Sequence, residues 1–175
     1  MLMKRTLLAA TVAAVAGLSL NASANVSTTT FTVTLVVQKT CNVNTATNVN
    51  LGTVNAGVVP AIANGTFTVA CSNTTPYFIG LSPDSLPSGT TGAGNMNGQT
   101  AGNTGTLIAY QLYQNAGGTT VWGNTATATT VGNGESGTGA GMTTPTTFTV
   151  YAGVTGSTNV TPDTYKDTVT VNVNF

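Results

Sequence analysis

The sequence predicts an all-β protein built as an antiparallel sandwich, and two observations carry this prediction. The first is composition: of 175 residues, 41% are hydrophobic and only 5% are charged. The polar residues are mainly Thr, Asn, Gly and Ser, which are depleted in helix interiors and common in strands and turns. The second is an alternation of apolar and polar residues with a period of two. No convincing 3.6-residue period occurs after the first two dozen residues, so we expect little helix.

The first 24 residues are interpreted as a secretory signal peptide. Lys4 and Arg5 form a positively charged start, Thr6 to Leu20 is uncharged and mostly apolar, and Ala22-Ser23-Ala24 is a small-residue cleavage site. Because the apolar stretch is short for a bilayer-spanning helix, a membrane anchor is the weaker alternative and we expect no membrane insertion after cleavage. Residues 25–175 then have the length of one domain.

Alternation is clearest at the two ends of the mature chain. Near its start, four apolar residues fall on one face of a predicted strand: Phe31, Val33, Leu35 and Val37. At its end the same pattern gives Val169, Val171, Val173 and Phe175. Six further strands are predicted between them: Val49–Val54, Gly65–Cys71, Tyr77–Leu81, Leu107–Gln114, Thr119–Trp122 and Thr146–Val154.

Two Gly-rich stretches, Gly89–Gly105 and Gly132–Gly141, contain hardly any large apolar residue and are predicted to be long loops. The second contains a G-x-G-x-x-G string at residues 132–137. That motif binds dinucleotides only where it joins a strand to a helix, and no helix is expected after it. We therefore interpret the match as chance and expect no cofactor.

Cys41 and Cys71 are the only cysteines, and an exported protein meets an oxidising compartment. We therefore predict that they form one structural disulfide. The alternative, a catalytic thiol, needs a neighbouring base, and the sequence contains no histidine.

The charged residues are too few for several classes of function. Four basic residues, two of them in the predicted signal peptide, cannot form a nucleic-acid-binding surface. The absence of histidine excludes His-containing catalytic triads and the usual catalytic zinc sites. The remaining alternatives are a carboxylate pair, a Ser-Lys nucleophile using Lys39 or Lys166, and calcium bound by Asp163. We favour none of them: Asp163 and Asp167 are predicted to be a solvated turn residue and a strand-edge charge, and the protein is predicted not to be an enzyme.

Several segments together resemble the spore coat protein U domain family, which includes pilins of the archaic chaperone-usher pathway. The most specific is the closing run Thr164-Tyr165-Lys166-Asp167-Thr168-Val169-Thr170-Val171, which ends at Phe175. The other matching segments are Phe31–Val37 leading into Cys41-Asn42-Val43, Leu51-Gly52-Thr53-Val54, Gly65–Cys71, Tyr110–Asn115 and Trp122-Gly123.

The resemblance implies an incomplete immunoglobulin-like sandwich, residues 38–175, which lacks one strand and accepts it from a neighbouring subunit. Residues 25–37 would donate that strand through Phe31, Val33, Leu35 and Val37. Val169, Val171, Val173 and Phe175 would border the acceptor groove and contact a periplasmic chaperone, with the carboxylate of Phe175 as anchor. Head-to-tail addition of identical or related subunits at an outer-membrane usher would build a surface pilus that supports adhesion and biofilm formation.

Three alternatives stay open at this point. The segment Phe31–Val37 could be the first strand of its own domain, as an N-terminal strand with one apolar face usually is. The protein could be a secreted carbohydrate-binding module, although neither Gly-rich stretch contains an aromatic residue, and the four aromatics Tyr110, Tyr113, Trp122 and Tyr151 are predicted to be core or half-buried. It could also be a monomeric coat protein with a complete fold.

Overall fold

The computed structural model describes residues 25–175, so the predicted signal peptide at residues 1–24 lies outside the described residues. The chain divides into two units, residues 1–36 and 37–175. In the first unit, the described residues 25–36 contain neither helix nor strand, and their side chains are exposed. The second unit contains all the strands of the described chain. No helix that could cross a bilayer occurs between residues 25 and 175.

The described residues form nine strands and no helix, which confirms the predicted all-β class. Their bounds are β1 (Cys41–Thr47), β2 (Ala63–Cys71), β3 (Pro76–Pro83), β4 (Ala93–Gly98), β5 (Leu107–Tyr113), β6 (Glu135–Thr138), β7 (Thr146–Val154), β8 (Tyr165–Lys166) and β9 (Val169–Asn174).

These strands form two antiparallel sheets. The larger has the order β1-β2-β7-β5-β4-β8, and the smaller has the order β6-β3-β9. The chain passes from the larger sheet to the smaller between β8 and β9, across only Asp167 and Thr168. The edge strands are β1 and β8 in the larger sheet, and β6 and β9 in the smaller.

One hydrophobic core lies between the sheets and takes side chains from both. The larger sheet contributes Phe67, Val69 and Cys71 from β2, Tyr110 and Leu112 from β5, and Ala152 from β7. The smaller sheet contributes Tyr77, Ile79 and Leu81 from β3, and the loop after β5 adds Trp122. In β5 and in most of β2 the buried residues alternate with more exposed ones, as expected for a sheet that covers a core with one face. The arrangement is that of the predicted immunoglobulin-like sandwich.

Five of the predicted strands are present. Gly65–Cys71 lies in β2, Tyr77–Leu81 in β3, Leu107–Gln114 in β5, Thr146–Val154 is β7, and Val169–Phe175 is β9 without its last residue. Two predictions were wrong: residues 49–54 form no strand, and Thr119–Trp122 contributes only an isolated bridge between Val121 and Tyr113. Residues 31–37 form no strand within the single chain, and their role as a strand donated to a neighbouring subunit stays a prediction. Residues 31–37 and 49–54 have the alternation of a strand, but no partner strand lies beside them among the described residues.

The two predicted long loops were also wrong, because each contains a strand: β4 in Gly89–Gly105 and β6 in Gly132–Gly141. Their glycines are explained by the strand beside them. Gly94 of β4 lies opposite Tyr110, and Gly137 of β6 lies opposite Tyr77. A side chain at either glycine would collide with the tyrosine ring. Glycine therefore makes room for a core aromatic in these strands, although it is usually a poor strand residue.

Candidate functional site

The candidate site is the open side of β9, an edge strand of the smaller sheet. β9 pairs with β3 alone, with Phe78 opposite Asn174 at one end and Pro83 opposite Val169 at the other. Its odd-numbered residues Val169, Val171 and Val173 pack against the core but are only partly buried. An edge strand whose apolar face is incompletely covered has free backbone groups and free apolar surface on the same side.

A cleft of about 560 Å³ lies along this side of β9. Much of its lining consists of core side chains from both sheets, among them Phe67, Leu81, Tyr110, Leu112, Val150, Ala152, Val169 and Val171. The cleft is therefore a place where the sandwich does not close over its own core. We call it, together with the adjoining cleft described next, the β9 groove.

A second cleft of about 600 Å³ continues from the first and shares lining residues with it, including Val49, Leu51 and Met96. One wall of this part is the segment of residues 49–56, for which a strand was predicted up to Val54. The segment has no partner strand, and the hydrogen bonds it makes are local, such as that from the Gly52 amide to the Asn50 side chain. Val49 and Leu51 are half-buried and face the groove. The groove thus has a sheet edge on one side and an irregular segment on the other.

The carboxylate of Asp167 lies in the groove, just before the start of β9. It accepts hydrogen bonds from the amide and hydroxyl of Ser85, from the Tyr110 hydroxyl at 2.8 Å, and from the Thr168 amide at 2.9 Å. The Ser85 hydroxyl in turn accepts a bond from the Asn95 amide. Burial, and next the bond to Asp167, raise the pKa of Tyr110 well above its usual range. Asp167 is therefore a structural acceptor beside the start of β9, a role that its prediction as a strand-edge charge did not include.

Asp163 also has a structural role. Its carboxylate accepts bonds from the Thr100 amide and hydroxyl, the Asn103 side chain and the Thr164 amide. The bond from Asn103, with those from Thr100 and Thr164, holds the pKa of this carboxyl well below its usual range. Asp163 ties the loop after β4 to the chain before β8, so it is more than the predicted solvated turn residue. Between residues 25 and 175, no three His, Cys, Asp or Glu side chains are grouped as metal ligands would be.

The aromatic residues divide as predicted into core and half-buried positions. Tyr110 and Trp122 are buried, and the Trp122 ring nitrogen donates to the Ile79 carbonyl at 3.0 Å. Tyr113 and Tyr151 are half-buried and lie opposite each other on β5 and β7. The aromatic side chains therefore belong mainly to the sandwich itself.

The predicted donor residues lie in the exposed leading part of the described chain. Phe31, Val33, Leu35 and Val37 are 82–87% exposed. Four large apolar side chains so fully in water are unusual for a folded protein. Their role as a donor strand stays a prediction.

The chain enters the sandwich at a fixed point. Cys41 and Cys71 form the predicted disulfide and lie opposite each other at the ends of β1 and β2. The Thr40 amide donates to the Ser72 hydroxyl, and the Ser72 amide donates to the Thr40 carbonyl. Residues up to Lys39 therefore precede the body of the sandwich, and residues from Thr40 onward belong to it.

Sequence reasoning missed β1, the wall formed by residues 49–56, and the polar contacts of Asp167. A signal for β1 is present, because Cys41 and Val43 alternate with Asn42 and Asn44 before the next Gly. No sequence signal links Asp167 to Ser85, which is 82 residues away.

Comparison with known proteins supports the fold. The family model of the Spore Coat Protein U domain matches residues 27–172. No match was found among curated proteins. A similar solved structure is the CsuC-CsuE chaperone-tip adhesion subunit pre-assembly complex from archaic chaperone-usher Csu pili of Acinetobacter baumannii, with a TM-score of 0.51 and 21% identity. The match covers 79% of this chain and 40% of that chain, so this protein spans less than half of the neighbour's length.

Proposed function

The chain belongs to the spore coat protein U domain family, as its sequence motifs indicate, and on this premise we propose that it is a structural subunit of a surface pilus. In this proposal the subunit is exported to the periplasm, held there by a chaperone, and joined to identical or related subunits at an outer-membrane usher. The resulting pilus on the cell surface supports adhesion and biofilm formation. No catalytic step is part of the proposed role.

One observation carries the proposal: β9 is an edge strand beside a groove lined by core side chains. A free edge next to uncovered apolar surface is a site for strand addition, and a stable protein in solution covers it. A strand inserted in the groove would pair with the free edge of β9 and place alternate side chains against the core.

The segment 31–37 has the length and pattern of such a strand. Seven extended residues span roughly 20 Å, which matches the length of the six-residue β9. Burial of four large apolar side chains contributes on the order of 6 to 12 kcal/mol before the costs of ordering the segment. Backbone hydrogen bonds between the inserted strand and β9 would add to this free energy of association.

Because the exposed apolar row and the groove occur on the same chain, strand addition can repeat from one subunit to the next. Each subunit inserts its leading segment in the groove of the next, which is a heterologous contact that does not close on itself. Such a contact builds an open filament. The chaperone and usher enter the proposal as the partners that cover the groove until the neighbouring subunit replaces them.

The test is to delete residues 25–37 and to express the variant with its chaperone and usher. We expect the truncated subunit to be recovered with the chaperone but to form no polymer, whereas the parent gives a heat-sensitive ladder on unboiled gels. Deletion of residues 25–30 alone is the matched control, because it shortens the chain but keeps the apolar row, and its ladder should persist. A parent subunit that remains a stable monomer without any ladder would contradict the proposal.

The same measurement separates this proposal from the two alternatives. A carbohydrate-binding module or a monomeric coat protein would be unaffected in its oligomeric state by loss of residues 25–37. Tyr110 and Trp122 are buried, so these two side chains cannot stack on a sugar.

A further inference from the structure

The disulfide closes a loop of chain that contains one wall of the groove. Cys41 begins β1, Cys71 ends β2, and the bridge joins them. The loop therefore contains both strands and the connection between them, residues 48–62, which includes the groove wall at residues 49–56. The leading segment of the chain joins this loop directly before Cys41. A pull on the leading segment therefore reaches the sandwich at the bridge.

We propose that the Cys41–Cys71 bridge transmits the tension of a stretched filament past residues 42–70, so that the groove wall stays in place while the subunit is pulled. In a filament, one neighbour holds the leading segment of a subunit and the groove of that subunit holds the other neighbour. Tension then crosses each subunit from residue 40 to β9. With the bridge closed, the covalent path between these two points omits residues 42–70. This inference rests on the proposed function and adds to it a mechanical role for the bridge.

The groove wall is too weakly attached to withstand tension by itself. Among the described residues, the connection 48–62 makes one hydrogen bond to another segment, from the Thr158 hydroxyl to the Val58 carbonyl at 3.1 Å. Its apolar side chains Val49 and Leu51 are only half-buried. A segment with few hydrogen bonds and partial burial opens at a low free energy. The wall is therefore a part of the sandwich that tension would remove early.

β1 gives little protection to this wall. It is an edge strand that pairs with β2 alone among the described strands, and its residues Asn42, Val43 and Asn44 are exposed. Without the bridge, a pull would act on the hydrogen bonds of this pair and on the two bonds between Thr40 and Ser72. Once these bonds open, the tension would act on the connection that contains the groove wall.

Cys71 lies in a much better anchored part of the sandwich. It is 1% exposed and belongs to the hydrophobic core. Its carbonyl accepts a hydrogen bond from the Gly141 amide, and the Thr75 carbonyl accepts one from the Gly139 amide. The strand that it ends also pairs with β7 along Ala63–Val69. Tension that arrives at Cys71 is therefore distributed over the core and over several hydrogen-bonded segments together.

A bridge that only stabilises the fold predicts a different response to force. Such a bridge acts through the entropy of the unfolded chain, so its loss would lower the force at which the whole sandwich opens. The proposed role predicts in addition that residues 42–70 lengthen first, as a separate event. The bridged residues are 30 apart in sequence, and extended chain spans 3.3–3.6 Å per residue, so this event releases roughly 100 Å. The order of events under force therefore separates the two roles.

The test stretches single polymers of the parent and of a variant with both Cys41→Ser and Cys71→Ser, each produced with chaperone and usher. We expect the variant to lengthen by roughly 100 Å per subunit at low force, before the rest of the sandwich opens, and then to break at a lower force than the parent. The parent should show no such event. A variant in which this length appears only together with opening of the whole sandwich would overturn the proposal.

The matched control is Trp122→Phe, which weakens the core but keeps the bridge. It removes the hydrogen bond from the ring nitrogen to the Ile79 carbonyl, and Trp122 does not line either cleft of the groove. We expect the sandwich of this variant to open at a lower force than that of the parent, without the separate event of roughly 100 Å. The same early event in Trp122→Phe would show that it reports general weakening and would overturn the proposal.

A second measurement applies if the variant without cysteines does not assemble. Parent polymer is held at constant tension, reductant is added, and reduction of the bridge is verified by labelling of the free thiols. We expect one step of roughly 100 Å per reduced subunit, because tension then reaches residues 42–70. Reduced polymer that does not lengthen, or that breaks without a preceding step, would overturn the proposal.

The heat-sensitive ladder of the parent keeps this inference apart from the proposed function. If the ladder forms and loss of the bridge gives no early lengthening, the mechanical role is wrong while the pilus proposal stands. If the parent forms no ladder, the pilus proposal itself fails and the mechanical role fails with it.

Discussion

The sharpest prediction compares Leu35→Ala with Val36→Ala. In the single chain these two neighbouring side chains are similarly exposed, Leu35 to 85% and Val36 to 77%. In an inserted strand they differ, because only the odd-numbered residues face the groove. Leu35→Ala removes three carbon atoms from the proposed contact with the groove, which at about 0.8 kcal/mol each weakens the junction by about 2 kcal/mol. This corresponds to roughly a 30-fold change in the equilibrium between joined and separated subunits.

Val36→Ala removes two carbon atoms that stay in water whether the subunits are joined or separated. We therefore expect the equilibrium between joined and separated subunits to change less than about twofold. The assay heats purified polymer in detergent in small temperature steps and follows loss of the ladder on unboiled gels. The free subunit, bound to its chaperone, serves as the folding control, and neither substitution should change its yield. Equal loss of the ladder for both variants would refute the alternating-face reasoning. A fall in subunit yield confined to Leu35→Ala would indicate that this residue packs in its own domain.

Three further predictions concern the sandwich itself. Replacement of both Cys41 and Cys71 by serine removes a link between residues 30 apart, so the free energy of unfolding should fall by roughly 3.6 kcal/mol, measured by urea titration. Tyr77→Phe should leave the free energy of unfolding unchanged or slightly raised, because the buried Tyr77 hydroxyl has no hydrogen-bond partner among the described residues. Tyr110→Phe, in contrast, should lower the free energy of unfolding by roughly 1.5–3 kcal/mol, because it removes the hydrogen bond to Asp167. Because the folded state lowers the pKa of Asp163, its contribution is present above the unfolded value of about 4 and is lost as pH falls below it. Asp163→Asn should therefore be less stable than the parent at neutral pH and lose less stability between pH 5 and about pH 2, which unfolding curves across that range would check; an identical pH profile for both would contradict the role given to this carboxylate.

The fold class was predictable because alternation of apolar and polar residues is a local property of the chain. Val169–Phe175 and Thr146–Val154 have strongly alternating or β-branched sequences, and both are strands. Alternation does not predict strands correctly where strand formation depends on a partner strand. Residues 49–54 have the pattern of a strand, yet they form none, because no described strand lies beside them. Conversely, β4 and β6 are strands despite their glycines, because those glycines lie opposite Tyr110 and Tyr77.

The sequence by itself determined that the chain is all-β, that Cys41 and Cys71 pair, and that four apolar residues of its leading segment share one face. Each of these depends on neighbours in the sequence or on the small number of possible partners. Only the tertiary structure decided that β9 is an edge strand, that core side chains are uncovered beside it, and that Asp167 lies in the resulting groove with hydrogen bonds from Ser85 and Tyr110. Those features arise from contacts between segments 57 to 82 residues apart, and the energy of such contacts depends on chain topology, which no local pattern encodes.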